Sequence, residues 1–73
     1  MAQEIVEVPI AGKILSVESN VGDTVSEGDV ICYIESMKME NPILAPVDGT
    51  ITELKVTVGQ VVEAGSLLAI IEY

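Results

Sequence analysis

Apolar residues form short segments along the chain, and glycine or proline bounds most of these segments. Valine and isoleucine supply most of the apolar side chains, with eleven and nine copies. Because β-branched side chains suit a pleated surface better than a helix, the segments predict β-strands. None of them shows a convincing helical period. The predicted strands are residues 5–10, 12–17, 30–35, 39–45, 49–56 and 67–72.

Three details of the pattern shape the predicted fold. Residues 21–29 and 58–66 each predict two glycine turns that flank a very short strand. Alternation slips by one position within two of the strands, which predicts a β-bulge or bend near Ser16 and near Glu53. The runs 30–34 and 67–71 are continuously apolar, as in strands covered on both sides. With no helix available, two sheets must cover each other. We therefore predict an all-β fold, a flattened barrel-sandwich hybrid of two small antiparallel sheets.

An internal repeat relates the two halves of the chain. Sliding the sequence by 37 positions matches the pairs Pro9/Pro46, Gly12/Gly49, Ile14/Ile51, Val21/Val58, Gly22/Gly59, Val25/Val62, Gly28/Gly65, Ile34/Ile71 and Glu35/Glu72. All six glycines are matched. Because glycine is placed by backbone geometry, a shared glycine spacing means a shared succession of turns. We predict one domain over residues 1–73, with repeat halves of about 1–36 and 38–73 related by an approximate two-fold axis.

Lys38 lies at the seam between the two copies. The offset carries Met1 onto Lys38 and Ser36 onto Tyr73, so the lysine turn and the chain ends occupy equivalent positions in the repeat. If the two-fold relation holds, we expect them at opposite ends of the molecule. A linker attached at either chain end would then leave Lys38 at the free tip.

Composition narrows the possible functions. Three lysines, no arginine and twelve acidic residues give a net charge of −9, which argues against binding to nucleic acid or to an anionic membrane. The usual role of such acidity is a soluble surface, and the scarcity of lysine also leaves a modifying enzyme few wrong targets. A chain of 73 residues without histidine, a nucleophile–base pair or a metal-ligand cluster predicts neither an enzyme nor a metal site.

Cys32 is the only cysteine, so no intrachain disulfide forms. It aligns with Ala69 in the repeat, which favours a small buried side chain over a reactive thiol. No apolar run reaches the roughly 20 residues of a membrane span, and the first residues lack the features of a signal peptide. We therefore expect a cytoplasmic protein that does not insert into membranes.

A lysine in a tight turn is either an ordinary solvated side chain or an amine displayed for acylation. Because a lysine amine is protonated at neutral pH, and Glu35 and Glu40 favour the charged form, acylation would need another protein and an activated donor. Met37 and Met39 flank Lys38 and have two readings. Strand alternation turns both thioethers into the core, or a modifying or partner enzyme reads them on the surface.

Several motifs together resemble the biotinyl carrier domains of biotin-dependent carboxylases and decarboxylases, over nearly the whole chain. They are residues 9–12, 21–25, 35–40 (Glu-Ser-Met-Lys-Met-Glu), 45–49 and 58–62. Ser36 departs from the alanine most common in that family. The link at residues 16–20 is too short for the extra hairpin, or thumb, of typical bacterial acetyl-CoA carboxylase carriers. The resemblance is therefore to thumbless carriers of propionyl-CoA, pyruvate or methylmalonyl-CoA systems.

The resemblance implies that Lys38 carries biotin as an amide and that Glu35, Ser36, Met37 and Met39 are read by biotin protein ligase and partner enzymes. It also implies a swinging arm that shuttles a carboxyl group between biotin carboxylase and carboxyltransferase or decarboxylase sites, with no catalysis by the domain itself. Lipoyl carriers share this fold but usually show Asp-Lys-Ala at the turn, so a lipoyl or dual biotin/lipoyl carrier is the alternative. An unmodified structural adaptor module is the alternative from another class.

Overall fold

The computed structural model describes residues 1–73 and contains eight β-strands and no helix. The strands are β1 (Gln3–Glu7), β2 (Gly12–Val17), β3 (Thr24–Val25), β4 (Val30–Ser36), β5 (Met39–Leu44), β6 (Gly49–Leu54), β7 (Val61–Val62) and β8 (Leu67–Glu72). The predicted all-β class is confirmed, and so are the very short strands between glycine turns, which are β3 and β7. No helix in the structure is long and apolar enough to cross a membrane.

The strands form two antiparallel sheets of four strands each. We call the sheet with the order β1-β8-β6-β3 the terminal sheet, and the sheet with the order β5-β4-β2-β7 the lysine sheet. The 37-residue offset carries β2 onto β6 and β3 onto β7, and it turns the strand order of one sheet into that of the other. Each sheet therefore takes two strands from each half of the chain. The repeat seen in the sequence is also a repeat of topology.

Both predicted bulges are present. The pairing of β2 with β4 shifts register between Ile14 and Ser16, and the pairing of β6 with β8 shifts between Ile51 and Glu53. One extra residue at each bulge brings apolar side chains that are out of phase onto the inner face. The slip in alternation along the sequence was therefore a correct signal.

The two continuously apolar runs have a different explanation from the one we predicted. Register shifts in β4 and β8 place two successive residues in the core, Ile31 with Cys32 and Leu68 with Ala69. Further along the same runs, Tyr33 and Ile70 are only half-buried and lie outside the apolar core. The strands are thus covered fully on one side, and bulges rather than a second covering layer account for the unbroken apolar sequence.

The sandwich is held together by one apolar core. Its fifteen buried side chains are Val6, Val8, Ile14, Val25, Ile31, Cys32, Ile34, Ile43, Ala45, Ile51, Val56, Val62, Leu68, Ala69 and Ile71. Cys32 and Ala69 are both fully buried, which confirms the expected small core side chain at this repeat position. The one buried polar side chain is Ser19, whose hydroxyl donates to the carbonyl of Val30 over 3.2 Å.

The first strand begins and ends earlier than the sequence predicted. We expected a strand over residues 5–10, whereas β1 covers Gln3–Glu7. The ladder shifts register after Val6, and Pro9 has no amide hydrogen with which to continue it. The Val8 amide bonds instead to the carbonyl of Ser66 over 2.8 Å, and this contact ties the end of β1 to the last glycine turn.

Acidic and amide side chains close the turns around the short strands. Asp23 accepts a 2.8 Å hydrogen bond from the amide of Asn20, and Asp29 accepts one of the same length from Ser26. In the second half, Gln60 accepts a 3.1 Å bond from the Thr57 amide at the position that matches Asp23. Part of the acidic composition therefore serves local turn structure.

The matched glycines meet two different demands. Gly22, Gly28, Gly59 and Gly65 have φ between 88° and 94°, a region that other residues rarely adopt. Gly12 and Gly49 are limited by space, because a Cβ at Gly12 would collide with the carbonyl oxygen of Glu35. A Cβ at Gly49 would collide in the same way with the carbonyl oxygen of Glu72. Gly12 thus allows β2 to pass close to the residues that lead into the lysine turn.

Candidate functional site: the lysine turn

Lys38 lies in a two-residue hairpin between the longest strand, β4, and the edge strand β5. Ser36 pairs with Met39, and only Met37 and Lys38 connect them. Their φ angles are 54° and 65°. A two-residue hairpin with positive φ at both central positions is the type I′ turn, whose twist matches that of the flanking strands.

This turn carries backbone strain. Type I′ turns usually contain Asn-Gly or similar pairs, because other residues pay steric energy in the left-handed region. Met37 and Lys38 are the only non-glycine residues in the chain with positive φ. Such positions cost about 1–3 kcal/mol each and persist only where the surrounding structure enforces them. The Ser36–Met39 and Glu35–Glu40 pairs of the ladder provide that enforcement here.

The side chains of the turn face solvent. Met37 is 91% exposed and Met39 is 66% exposed, and Lys38 is exposed as well. The reading in which strand alternation buries both methionines is therefore wrong. The turn extends beyond the edge of the core, so that even Met39, on the inward-facing register of β5, has little to pack against. Asn41 steadies the base of the turn by donating a 3.1 Å hydrogen bond to the carbonyl of Met39.

The Lys38 amine is available for chemistry. The single ion pair of the structure joins Lys55 to Glu53 at 3.8 Å, and Lys38 takes part in none. Nor does its side chain appear in any hydrogen bond. The surface has no pocket around the turn or elsewhere. A free primary amine on a raised, strained turn is suited to be acted on by another protein.

A row of charges crosses the lysine sheet next to the turn. Glu35 pairs with Glu40 on one side and with Lys13 on the other. Like charges directly opposite each other are unfavourable, and Lys13 offsets part of this repulsion. In the terminal sheet the matching row is Gln3, Glu72 and Thr50, with a single charge. The fold therefore does not need the acidic pair beside Lys38.

No other reactive group accompanies the lysine. Cys32 is fully buried, and burial raises the pKa of its thiol to about 11, so that the nucleophilic thiolate is scarce. No cluster of three or more His, Cys, Asp or Glu side chains is placed to hold a metal ion. The chemistry that the surface offers is centred on the amine of Lys38.

The structure brings all the residues predicted for the site into one hairpin. Glu35 and Ser36 end β4, Met37 and Lys38 form the turn, and Met39 begins β5. Sequence reasoning missed the strained backbone at Met37 and Lys38. The signal available was the two-residue spacing between strands, but Met-Lys is not a turn dipeptide by composition. The close approach of Gly12 to Glu35 was also missed, since only the paired glycine spacing hinted at it.

Comparison with known proteins agrees with this geometry. Residues 4–71 match the family model of the biotin/lipoyl attachment domain, described as "Biotin-requiring enzyme". The chain belongs to this family. Its fold and sequence are those of a biotin carboxyl carrier domain of the biotin-dependent carboxylases and decarboxylases, which is a non-catalytic unit.

Individual relatives make the match specific. The chain is 44% identical over 68 residues to the "Biotinylated protein TB7.3 homolog" of Mycobacterium leprae, covering 93% of this chain and 96% of the relative. It is 46% identical over 67 residues to the "Biotin carboxyl carrier protein" of Streptococcus mutans, covering 92% of this chain and 52% of the relative. The urea carboxylase of Kluyveromyces lactis superposes with a TM-score of 0.91 at 32% identity, covering 99% of this chain and 6% of that one. This chain thus spans nearly all of the first relative but only parts of the other two.

Proposed function

We propose that Lys38 is the biotin attachment residue and that this domain carries a carboxyl group between enzyme sites in the cytoplasm. The observation that supports this most is the exposed, unpaired amine of Lys38 at the tip of a strained hairpin. A cofactor joined through one covalent bond needs no cavity in the carrier. Lys13 and Lys55 lie within or next to regular strands and lack such a turn.

The attachment step is an acyl transfer to the lysine. The deprotonated amine of Lys38 would attack the activated acyl carbon that biotin protein ligase presents. An amide bond would form, the activating group would leave with the electron pair of the broken acyl bond, and the amine would give up a proton. The modification removes one positive charge from a domain whose net charge is already −9.

After attachment the domain has to present and release the arm. When bound, biotin supplies a ring nitrogen that accepts and gives up a carboxyl group. The residues of the turn hold the attachment point clear of the sandwich, and the rigid strands β4 and β5 fix its direction. Movement is then left to the lysine side chain and to whatever joins the domain to its partners, which raises the effective concentration of the arm at each site.

Glu35, Ser36, Met37 and Met39 are the residues that we propose the ligase and partner enzymes recognise. Met37 and Met39 expose thioethers that contribute nothing to the core, and flexible methionines suit surfaces that contact several proteins. Ser36 is half-buried at the base of the turn, and Glu35, the residue before it, adds an exposed carboxylate. The proposed partners are biotin protein ligase, a biotin carboxylase, and a carboxyltransferase or a decarboxylase.

One relative illustrates the last partner class. The "Methylmalonyl-CoA decarboxylase subunit gamma" of Veillonella parvula is 44% identical over 50 residues, covering 68% of this chain and 39% of the relative. We propose that carrier subunits of such decarboxylases, and of the other systems served by thumbless carriers, are the functional counterparts of the domain.

Intact mass measurement with peptide mapping tests the proposal. The domain is co-expressed with biotin protein ligase, and separately with a lipoate-attaching enzyme. We expect a biotinyl increment on the peptide that contains Lys38, with Lys13 and Lys55 unmodified in the same sample. A lipoyl increment alone would indicate a lipoyl carrier, increments from both enzymes a dual carrier, and no increment an unmodified adaptor.

A further inference from the structure

The internal repeat supplies a control for what folding requires on the outer faces of the two sheets. Positions related by the 37-residue offset occupy the same place in the same topology. Differences between their exposed side chains therefore do not arise from the demands of the fold. An apolar side chain that lies on the outer face of one sheet and not of the other is therefore free to serve a purpose other than folding.

The outer face of the lysine sheet is the more apolar of the two. We define this apolar face by Leu15, Tyr33, Pro42, Leu44 and Val61, in that order the counterparts of Thr52, Ile70, Ile5, Glu7 and Thr24. Three of these pairs replace an apolar side chain with a polar one. The terminal sheet keeps only the Ile5–Ile70 pair, which corresponds to Pro42–Tyr33.

None of the five residues of the apolar face belongs to the core. Leu44 is 46% exposed and Val61 is 76% exposed, while their neighbours Ile43 and Val62 are buried on the inner face. Leu15 is the extra residue of the bulge in β2 and is not packed against the core. The terminal sheet forms the same fold with polar residues at three of the matching positions, Thr52, Glu7 and Thr24. The apolar side chains of Leu15, Leu44 and Val61 are thus unnecessary for folding.

The apolar face lies on the strands that lead into the lysine turn, and an acidic pair borders it on the side of the turn. Tyr33, Pro42 and Leu44 lie on β4 and β5, the strands that the turn connects. Since a strand advances about 3.3 Å per residue, the face extends about 17 Å from the turn. Glu35 and Glu40 lie between the turn and the part of the face on β4 and β5. Lys13 is the one cation of that row and pairs with Val61 at the edge of the face. A complementary surface has an apolar centre and Lys or Arg at its rim.

Chain geometry favours the acylating enzyme as the occupant. Before modification, only the four-carbon stem of Lys38 separates the reacting nitrogen from the backbone of the turn. An enzyme that acylates this nitrogen must approach the body of the domain closely, whereas the added length of biotin lets enzymes that act later reach the ring from the turn alone. We propose that the apolar face is the surface on which biotin protein ligase docks while its active site takes Lys38. This inference rests on the proposed function of Lys38.

Ligase kinetics test the docking surface. The triple variant Leu15→Thr/Leu44→Thr/Val61→Thr introduces threonine, which suits strands and adds no charge. The control Ile5→Thr/Ile70→Thr removes apolar side chains from the terminal sheet. With purified ligase, biotin and ATP, we expect the triple variant to raise the KM for the domain about tenfold, with kcat within about twofold of wild type. The control should change neither value by more than about twofold, and circular dichroism melts should show both variants folded.

Binding without catalysis separates this inference from the function itself. The Lys38→Ala domain, titrated with ligase in a calorimeter, should bind, and the triple variant built on it should bind about tenfold more weakly. Weaker binding of the triple variant supports the docking surface, whatever the mass assay shows. If Lys38 is never biotinylated in that assay, only the proposal that Lys38 is the attachment residue fails. A triple variant equal to wild type in KM and in binding overturns the docking surface. An equal loss in the control does so as well.

Discussion

Ala2 and Tyr73 exchange two backbone hydrogen bonds of 2.8 Å each, so that the first and last residues of the chain are paired as in a β-ladder. Under the 37-residue offset, this pair is the counterpart of the Ser36–Met39 pair that closes the lysine turn. The same end pair of a ladder therefore forms twice. A two-residue turn connects Ser36 with Met39, whereas no turn connects Ala2 with Tyr73. The strained residues Met37 and Lys38 are not needed for the ladder to close.

Replacing Lys38 should abolish biotinylation without lowering the stability of the domain. Lys38→Gly relieves the left-handed strain and should raise the free energy of unfolding by about 1 kcal/mol, or the Tm by about 4–8 °C. Lys38→Ala keeps a Cβ in the same conformation, so that we expect its Tm to stay near that of wild type. Neither variant should gain a biotinyl increment in intact mass measurement. A large fall in Tm for Lys38→Ala would show that the lysine is structural.

Gly12 and Gly49 offer a matched pair for testing how the turn is positioned. In Gly12→Ala the new Cβ meets the carbonyl oxygen of Glu35, and in Gly49→Ala it meets that of Glu72. Because the collisions are alike, each variant should lose about 1–3 kcal/mol of stability, measured by urea unfolding. Only Gly12→Ala displaces the strand that leads into Lys38.

Biotinylation of these two glycine variants should therefore differ at a temperature where both are folded. We expect Gly12→Ala to be modified several-fold more slowly than Gly49→Ala in a ligase assay with equal amounts of folded domain. Equal rates would mean that the approach of Gly12 to Glu35 matters for folding alone.

Met37 and Met39 should affect modification without affecting stability. Both side chains face solvent and lie outside the core, so that Met37→Ala and Met39→Ala should change the free energy of unfolding by less than about 0.5 kcal/mol. If ligase and partners read the thioethers, each variant should lower the rate of biotinylation or of carboxyl transfer. Val21→Ala, which shortens an apolar side chain of similar exposure to Met39 in the turn before β3, is the control. Unchanged rates in both turn variants would remove the methionines from the recognition site.

Cys32 should make stability depend on pH in the alkaline range. Its thiol has an ordinary pKa of 9.0 when the chain is unfolded and a pKa raised to about 11 by burial in the folded domain. Between these values the unfolded chain has released the proton and the folded chain has kept it. Stability therefore falls as pH rises from about 9 to about 11. Urea unfolding across this range should show a shallower fall for Cys32→Ala than for wild type, and parallel curves would contradict the assignment.

The sequence predicted most of the fold because the repeat and the glycine spacing report backbone geometry directly. The bulges at Ser16 and Glu53 were predicted because the alternation breaks there. The predicted end of β1 was wrong, because the apolar pattern continues through Val8 and Ile10 although the pairing with β8 has already shifted register after Val6. Burial of Ile31 beside Cys32 depends on a bulge that an unbroken apolar run conceals.

The residues of the candidate site were chosen from the sequence, and their assignment as the site stays a prediction. Lys38 was chosen from its place at the seam of the repeat and from the neighbouring motif, but neither indicated the geometry of the turn. Its positive φ follows from the ladder pairs on either side, which are long-range contacts that neither Met37 nor Lys38 encodes locally. The placement of Lys38 and the chain ends at opposite ends of the molecule stays a prediction.

Each sheet contains two strands from the first half of the chain and two from the second. This sharing has a consequence for how the domain unfolds. Neither half can assemble a complete sheet by itself, so that no portion of the sandwich is expected to melt while the rest survives. A break in the backbone at the turn, between Met37 and Lys38, would leave two peptides shaped like the subunits of an intertwined dimer. The domain thus resembles an intertwined dimer whose two subunits are covalently linked, and the turn that displays Lys38 is the link between them.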